Sequence, residues 1–358
     1  MGNIFTRYID RIRGSGDAVI TLPPMDGALR PNNRIEEAAL VAPAEAPDSL
    51  VRHEGRILFS SGAETRAIGA DGATTVVSTE ASPITFLASD PSGALAIGLE
   101  AGRIEIRGGV HDGKSFSTLG NTTVFAPSAA VFRDADTLYF CLASSEHPIS
   151  DWKRDLMSFG KTGSVWRLSL KTGEAVRLAG GLAFAGGVAV AKTGGVFVSE
   201  TWSHRVLHVA DDGTAKVVLE ELPGYPSRLV RDETGDIWMC VFAPRTQLIE
   251  FVLRERDYRQ RMMAEIDPEY WIAPSLHYPT SYLEPMQGGG LKQLGELKPW
   301  APSRSIGLVV RLDDDGQPVE SLHSRADGRR HGVTSCLPDK DGLLIASKGG
   351  NAILRAGK

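Results

Sequence analysis

The sequence predicts an all-β protein folded as a six-bladed β-propeller, with an N-terminal helix and a long lid insertion in blade 5. The first observation is a repeated pattern in which a polar turn, usually containing glycine, precedes an apolar strand. Gly194 and Gly235 each open one copy, and their separation of 41 residues suits four short antiparallel strands. The pattern recurs in four more places: Gly55, Gly93, Asp136 and Gly342. Six units are therefore expected rather than seven.

The composition and the unit lengths support this reading. Glycine and proline are frequent, at 39 and 20 of the 358 residues, as in a turn-rich β protein. Two units are longer than the rest, because residues 144–163 interrupt the third and residues 243–305 interrupt the fifth. Irregular segments of this length inside a compact domain are typical of lids or interfaces, so both are predicted insertions.

The charge and the apolar runs exclude several classes of function. With a formal net charge of −5 at pH 7, no nucleic-acid partner is expected. No apolar run reaches the roughly 18 residues of a membrane span, and the N-terminus lacks the apolar core of a secretory signal. Cys141, Cys240 and Cys336 are too few for a disulfide framework. We therefore expect a cytoplasmic protein with buried free thiols.

Residues 1–34 are predicted as an N-terminal helix and extended arm, ahead of a propeller that spans 35–358. Within residues 1–14, apolar side chains recur at helical spacing and arginines flank them. Such a helix could contact a membrane surface, and its Met-Gly-x-x-x-Thr start matches the N-myristoylation pattern. The alternative is packing on its own propeller or on a partner. Residues 35–41 are predicted as a strand that completes the last blade and closes the ring.

Both insertions are predicted to lie on one face of the propeller. Each follows the second strand of its blade, and the connection from second to third strand lies on the face where the innermost strands begin. Six residues are predicted to begin the innermost strands and to face the central channel: Asp48, Thr85, Ser128, Gly186, Ser227 and His331. A concave channel mouth beneath aromatic lids is a typical small-molecule site, so the substrate is expected there.

Three segments carry a family resemblance. GLAFAGGVAV, VFVSET and ELPGYPSRLV, all within residues 181–230, resemble the strictosidine synthase-like family, which is related to the regucalcin and gluconolactonase propellers. The resemblance extends over most of residues 45–355. It implies the six-bladed fold and a small-molecule enzyme, but it does not specify the substrate.

The resemblance also implies a metal site, from which this sequence departs. The metal-dependent relatives hold a divalent cation, often calcium, with a Glu, two Asn and an Asp at the starts of the innermost strands. The corresponding positions here are Asp48, Gly186, Ser227 and the region of Ser128, so one carboxylate remains. Since calcium requires several oxygen ligands, no tightly bound calcium or other divalent cation is expected, and Asp48 is only a weak candidate ligand.

A second departure concerns the catalytic acid–base residue of the plant strictosidine synthases. That Glu lies two residues after a His near the start of the last blade. Here the His is His331 and the Glu position is Val333, which cannot transfer a proton. Pictet–Spengler activity is therefore not expected.

The candidate catalytic residues are His331 and Asp48. An imidazole at the channel mouth can act as a general base near neutral pH, and Asp48 could orient it, since blades 1 and 6 are neighbours. The alternatives are that His331 is a structural histidine bonded to a backbone carbonyl and that Asp48 caps a turn.

The candidate substrate-binding residues come from the innermost strands and from the insertions. The strands contribute Ser128, Tyr225, Ser227 and Arg228, of which Arg228 could meet an anionic substrate or form an ordinary ion pair. The insertions contribute Glu146, His147, Trp152, His277, Tyr282 and Glu284. The second insertion is also rich in large aromatic residues, which could roof the channel near His331 or form the interface of a homo-oligomer.

Hydrolysis of a lactone or ester is the predicted reaction, with a small molecule as substrate. Two alternatives are a propeller that binds ligands or partners without catalysis, and a lyase of the Pictet–Spengler type.

Overall fold

The structure, a computed structural model, describes residues 22–281, 283–285, 292–293, 296–297 and 304–357. Six four-stranded antiparallel sheets form the blades of a propeller, which confirms the predicted fold and blade count. The first strand of each blade contacts the first strands of both neighbouring blades, so these six strands surround the central channel. The helix predicted within residues 1–14 lies outside the described residues.

The strands of blades 1 to 3 follow one another along the chain. Blade 1 contains Asp48–His53, Arg56–Ser61, Glu64–Ile68 and Thr74–Thr79. Blade 2 contains Ile84–Ser89, Leu95–Leu99, Arg103–Arg107 and Ser115–Phe116. Blade 3 contains Pro127–Asp134, Thr137–Leu142, Gly163–Ser169 and Ala175–Leu182. A 3-10 turn at Gly109–His111 connects the third and fourth strands of blade 2, and a short hairpin of Thr118–Leu119 and Thr122–Thr123 lies between blades 2 and 3 in sequence.

Blades 4 to 6 complete the ring. Blade 4 contains Ala185–Val190, Val196–Glu200, Arg205–Val209 and Ala215–Leu219. Blade 5 contains Gly224–Arg231, Ile237–Pro244, Leu308–Leu312 and Pro318–His323. Blade 6 contains Val333–Asp339, Gly342–Ser347, Ala352–Ala356 and, as its outermost strand, Ala39–Pro43.

The ring closes through the N-terminal strand, as predicted, but the strand begins later than residue 35. Ala39 pairs with Arg355 and Pro43 with Ala352. Residues 34–37 instead form a turn that places Ile35, with no exposed surface, in the core between blades 5 and 6. The free energy of burying this isoleucine favours the turn over four further residues of edge strand.

The N-terminal arm is attached to the outer strand of blade 5. After a 3-10 turn at Gly27–Leu29, the Asn32 amide donates to the Ser321 carbonyl at 2.9 Å, and the His323 N–H donates to Asn32 Oδ1 at 3.0 Å. The Ile35 N–H donates to the His323 carbonyl at 2.8 Å. These hydrogen bonds satisfy backbone groups of the outermost strand that have no partner within blade 5.

The two insertions contact each other on one face. The first contains a 3-10 turn, Ile149–Asp151, and helix α1, Trp152–Met157. The second contains helix α2, Gln247–Arg254, helix α3, Arg256–Glu265, a 3-10 turn at Pro268–Tyr270 and a small hairpin of Lys292–Gln293 and Glu296–Leu297. Buried side chains of both insertions share one core with blade 5: Leu156, Met157, Tyr225, Phe242, Ile249, Val252 and Trp271.

The sequence predicts one charged helix over 253–265, whereas the structure has two. Helix α2 begins after Thr246, whose Oγ1 accepts a hydrogen bond from the Ile249 N–H at 3.2 Å. Glu255 leaves the helical region at φ −85° and ψ 84°, and α3 starts at the next residue. This break lets α2 bury Ile249, Val252 and Leu253 against the propeller.

The environment of the cysteines and the length and polarity of the helices agree with the expectations from composition and apolar runs. Cys141, Cys240 and Cys336 are all buried and free, as predicted. Among the described residues, every helix is too short or too polar to cross a membrane.

Candidate functional site

Every innermost strand begins with an irregular register at the channel mouth. The regular pairing is interrupted at Thr85 in blade 2, Ser128 in blade 3, Gly186 in blade 4 and Thr334 in blade 6. The first strands of blades 1 and 5 have longer interruptions, after Asp48 and around Ser227 and Arg228. A β-bulge leaves one residue's backbone groups outside the hydrogen-bond ladder of the sheet and changes the direction in which that residue points. The channel mouth is therefore lined by carbonyl groups that are available to other donors.

Arg228 makes contact with four other blades from its place on the first strand of blade 5. Its guanidinium donates to Asp48 Oδ1 of blade 1 and to the Thr85 carbonyl of blade 2. It also donates to the Thr334 carbonyl at 3.2 Å and lies 3.5 Å from the Ser128 carbonyl. Arg228 lines the cavities at both ends of the channel, so its side chain separates them.

Asp48 has two cationic partners. Besides Arg228, the Lys348 Nζ lies 3.0 Å from Asp48 Oδ2. Burial acts to raise the pKa of this carboxyl, but the nearby charges of Arg228 and Lys348 outweigh it and lower the pKa to about 2. Asp48 is therefore an ionised and weakly basic carboxylate at neutral pH.

These residues do not suit a tightly held divalent cation of the kind that the resemblance implies. Among the described residues, Asp48 is the one carboxylate at the point where the carbonyls converge, and no group of three potential metal-binding side chains occurs. Gly186 lies where the resemblance implies a ligating asparagine, and a Cβ there would lie 2.4 Å from Thr201 Oγ1. The guanidinium of Arg228 already contacts the available oxygens, so no step of a reaction is assigned to a metal.

A cleft of about 460 Å³ opens above Arg228 on the face of the insertions. Four aromatic side chains form one wall: Trp152, Phe184, Trp202 and Phe242. The ring centroid of Trp202 lies 4.5 Å from that of Phe184 and 6.2 Å from that of Trp152. Asp48, Arg228 and Lys348 form the polar floor. The cleft thus combines an apolar wall with a charged floor; because Glu100 also lines the cleft, the formal charges of its four charged side chains sum to zero.

The cleft contains several of the predicted residues and omits others. It includes Asp48, Ser128, Trp152, Ser227 and Arg228 from the set predicted to act in catalysis or binding. It also includes Thr85 and Gly186, which were predicted channel-facing positions. Blade 6 contributes Thr334 rather than His331, because its first strand begins at Val333.

His331 does not pair with Asp48, so the predicted Asp–His pair is wrong. The imidazole has no exposed surface and does not line the cleft. Its Nε2 donates to the Arg325 carbonyl at 2.8 Å, and its Nδ1 lies 2.7 Å from Ser305 Oγ. Burial lowers the pKa of His331. The bond to the Arg325 carbonyl matches the alternative of a structural histidine bonded to a backbone carbonyl. The contact with Ser305 also joins His331 to the second insertion.

The other predicted binding residues that the structure describes lie outside the cleft. Tyr225 is fully buried behind the aromatic wall, with its ring centroid 6.0 Å from that of Trp202, and burial raises the pKa of its hydroxyl. Glu146 is exposed and His147 is half-buried on the first insertion. The His277 Nδ1 donates to the Tyr278 carbonyl at 3.1 Å. Tyr282 lies outside the described residues.

Glu284 is a structural residue of the second insertion. Its Oε1 accepts hydrogen bonds from the backbone N–H groups of Thr280, at 2.8 Å, and Ser281, at 3.2 Å. Its Oε2 lies 3.6 Å from an Arg304 nitrogen, and both side chains are 1% exposed. The pair is therefore buried in the insertion and does not line the cleft.

The second insertion contributes less to the cleft than predicted. Leu276 is its one residue in the described lining, and Tyr278 packs edge-on against His331 at 5.9 Å. Trp271 is fully buried within the insertion, whereas Tyr258 is half exposed. The aromatic wall instead comes from the first insertion, which contributes Trp152, and from blades 4 and 5, which contribute Phe184, Trp202 and Phe242 near strand ends.

The lining residues that were not predicted from the sequence include Phe184, Phe242 and Thr334, and also Lys348, Trp202 and Glu100. Lys348, Trp202 and Glu100 each follow the second strand of a blade, at the connection to the third strand. This is the same type of connection that carries both insertions, so the rule that placed the insertions also identifies these positions. The sequence therefore contained the signal for these three positions, but the prediction used it only for the two long connections, 144–163 and 243–305.

Trp202 is held in the wall by a buried carboxylate. Its indole N–H donates to Asp155 Oδ1 on helix α1 at 2.7 Å. Asp155 is 1% exposed, and its Oδ2 has no hydrogen-bond partner among the described residues. Gly160 permits this placement, because a Cβ there would lie within 2.5 Å of the carboxylate.

Comparison with known proteins supports the predicted resemblance. Residues 129–210 match the family model for strictosidine synthase. The chain is 24% identical to STRICTOSIDINE SYNTHASE-LIKE 10 of Arabidopsis thaliana over 215 residues, which are 58% of this chain and 50% of that protein. It is 22% identical to STRICTOSIDINE SYNTHASE-LIKE 2 of the same plant over 218 residues, 58% of this chain and 51% of that protein. The chain spans about half the length of these curated relatives.

A solved structure extends the likeness to almost the whole propeller. A gluconolactonase from Xanthomonas campestris superposes with a TM-score of 0.56 and 13% sequence identity, covering 88% of this chain and 86% of that one. At this identity the likeness establishes the fold. The predicted resemblance to strictosidine synthase-like and gluconolactonase propellers is thereby confirmed.

Proposed function

We propose that this protein binds a small, largely apolar molecule that carries a carbonyl or carboxylate oxygen, in the cleft beneath the two insertions. The observation that carries the proposal is that four aromatic side chains and the ammonium group of Lys348 line the same cleft. Ligand sites typically combine an apolar wall with a few polar groups that fix orientation.

The aromatic wall suits an aromatic or alicyclic ligand body. Trp152 and Phe242 are nearly perpendicular with centroids 5.3 Å apart, and Trp152 and Trp202 are stacked at 6.2 Å. Phe242 is mostly buried, while Trp152, Phe184 and Trp202 are half-buried and face the cleft. Rings in such a cluster offer broad contact area at little cost in conformational entropy.

The polar floor suits an oxygen acceptor. The four terminal N–H groups of Arg228 have acceptors in the protein, so Arg228 is largely committed. Lys348 donates to Asp48 and, as an ammonium group, has two further donors. The Thr85, Thr201 and Thr334 hydroxyls have no partner among the described residues. Water or a polar ligand group would satisfy them.

Hydrolysis of a lactone or ester is a second candidate, favoured by the position of Lys348 beside Asp48. The ammonium group could stabilise the negative charge that develops on a carbonyl oxygen under attack. Asp48, with its pKa of about 2, is a weak base for activating water. Binding is therefore the stronger inference, and hydrolysis requires a separate test.

Matched ligands and matched variants test binding. Indole-3-acetate and its neutral amide are titrated by calorimetry into the wild-type protein, Lys348→Met and Lys348→Arg. The acid is expected to bind the wild type about tenfold more tightly than the amide does, because Lys348 meets the carboxylate. Lys348→Met should remove this preference, and Lys348→Arg should retain most of it.

Two results would contradict the proposal. One is equal affinity of acid and amide in the wild type, and the other is an unchanged affinity when Trp202→Ala removes part of the wall. Hydrolysis is measured separately with dihydrocoumarin, an aromatic lactone, with and without a chelator. Turnover that survives the chelator and is lost in Lys348→Met would support the second candidate.

A further inference from the structure

We infer that the Arg228 side chain is an internal cation that replaces a bound metal ion at the propeller axis, and that its removal exposes a divalent-cation site. The inference rests on the contacts of Arg228 and is independent of the ligand proposed above. It assigns Arg228 a positioning role, in which its side chain holds the blades together at the channel mouth.

The oxygen atoms around Arg228 come from four blades. They are Asp48 Oδ1 of blade 1, the Thr85 carbonyl of blade 2, the Ser128 carbonyl of blade 3 and the Thr334 carbonyl of blade 6. The carbonyls of Thr85, Ser128 and Thr334 belong to residues at which the strand register is interrupted. These three carbonyl oxygens converge with Asp48 Oδ1 on one guanidinium group, because the bulges direct the carbonyls away from the sheets.

This set of donors is chemically suited to a hard cation. Calcium is bound by carboxylate and backbone carbonyl oxygens, with water completing a shell of 6–8 ligands. Four protein oxygens with one carboxylate make a weak calcium site, of the class with a dissociation constant on the order of 10⁻⁴ to 10⁻³ M. In the wild type, the guanidinium carries a permanent positive charge at this position and its planar fork reaches several acceptors.

Lys348 adds a second barrier to a metal ion. Its ammonium group lies 3.0 Å from Asp48 Oδ2 and shares the carboxylate with Arg228. An incoming divalent cation would meet two positive charges in competition for one negative charge. Removal of Arg228 should therefore permit calcium binding, and removal of Lys348 as well should strengthen it.

The test compares calcium-dependent thermal stabilisation in four proteins: the wild type, Arg228→Ala, Arg228→Ala/Lys348→Met and Arg228→Ala/Asp48→Asn. Each is melted with millimolar calcium and with sodium chloride of equal ionic strength. We expect no specific shift in the wild type, a shift in Arg228→Ala and a larger shift in Arg228→Ala/Lys348→Met. Arg228→Ala/Asp48→Asn should lose the shift, because the site then has no carboxylate.

Chemical rescue provides a second measurement. Millimolar guanidinium, far below denaturing concentrations, should raise the melting temperature of Arg228→Ala but not that of the wild type. Rescue would also support the inference if Arg228→Ala folds only when calcium or guanidinium is present. The inference fails if the wild type and Arg228→Ala respond equally to calcium. It also fails if Arg228→Ala responds to neither cation, whether it is folded or unfolded.

Failure of this test is distinguishable from failure of the proposed function. The readouts here are cation-dependent melting temperatures, which need no organic ligand. The proposed function is tested by the affinity of an aromatic acid in a protein that retains Arg228.

Discussion

The indole N–H of Trp202 donates to the buried carboxylate of Asp155 at 2.7 Å, which links the aromatic wall of the cleft to helix α1. Trp202 follows the second strand of blade 4, and Asp155 lies in the first insertion. This hydrogen bond therefore connects two separate parts of the chain that both contribute to the cleft wall. Loss of that bond should affect the site as well as the stability of the fold.

Asp155→Leu is expected to lower both stability and ligand affinity. The substitution leaves the half-buried indole N–H without its acceptor, which costs about 1–3 kcal/mol. Urea unfolding should show this loss, and calorimetry should show a several-fold weaker affinity for indole-3-acetate.

Asp155→Asn is the matched control for this prediction. The asparagine keeps an acceptor for Trp202 and removes a buried charge whose second oxygen has no partner among the described residues. Its stability should equal or exceed that of the wild type. Equal losses in Asp155→Leu and Asp155→Asn would show that the charge, rather than the hydrogen bond, is what matters.

The blade count and the face of the site could be predicted because they follow from local signals. Apolar strands separated by glycine turns recur at regular intervals, and both insertions follow the second strands of their blades. Gly194 and Gly195, for example, both adopt positive φ, at 93° and 72°, in the turn that the repeat marks. Such signals depend on sequence neighbours alone.

The contacts of Arg228 could not be predicted in the same way. Its partners Asp48 and Thr334 lie 180 and 106 residues away, and the bonds depend on carbonyl directions set by bulges. The pairing of Asp48 with His331 was wrong for a related reason. The first strand of blade 6 begins at Val333, which moves His331 out of the channel and into contact with Ser305.

Asp48→Asn is expected to destabilise the protein strongly. It leaves Arg228 and Lys348 without their shared counter-charge. Breaking a fully buried ion pair costs on the order of 3–5 kcal/mol, which is an upper bound here because the side chains of Asp48, Arg228 and Lys348 are 14%, 19% and 35% exposed. The double variant Asp48→Asn/Lys348→Met should recover part of this loss, since one uncompensated charge is then removed. Urea unfolding of both variants measures the difference. A double variant no more stable than Asp48→Asn would show that Lys348 is not coupled to this site.

Glu284→Gln is expected to loosen the second insertion. The substituted amide would still accept from the backbone of Thr280 and Ser281, but Arg304 would lose the carboxylate that lies 3.6 Å away. Because both side chains are 1% exposed, the uncompensated guanidinium should cost about 3 kcal/mol. Limited proteolysis should cut the insertion faster than in the wild type.

The double variant Glu284→Gln/Arg304→Met is the control for the insertion. It removes the buried charge together with its partner, so resistance to proteolysis should return at least partly. If Glu284→Gln alone resists protease as the wild type does, the ion pair does not stabilise the insertion.

The buried histidines predict a loss of stability in mild acid. His204 lies 8% exposed beneath the second insertion, its Nδ1 donating to the Gly224 carbonyl at 3.0 Å. Burial and then the charge of Arg245 lower its pKa from 6.5 to about 4, although Glu250, 3.8 Å from Nε2, opposes the shift. Burial also lowers the pKa of His323 to about 4, and it lowers that of His331.

The direction of the pH dependence follows from these shifts. Between pH 6.5 and 4 the unfolded chain binds more protons at His204 than the folded protein does, so stability falls as the pH falls. The contribution is fully present above pH 6.5 and is lost below pH 4. For His204 the whole effect is on the order of 3 kcal/mol. His323 adds to the loss over the same range.

His204→Asn tests this assignment without changing the local backbone. Asparagine can donate to the Gly224 carbonyl and tolerates the positive φ of 51° at this position, but it does not titrate. Unfolding free energies measured from pH 7.5 to 4.5 should fall less steeply for His204→Asn than for the wild type. His323→Asn should reduce the slope independently, and the double variant should combine both effects, because the two histidines share no partner. A wild-type slope in His204→Asn would show that other groups cause the acid sensitivity.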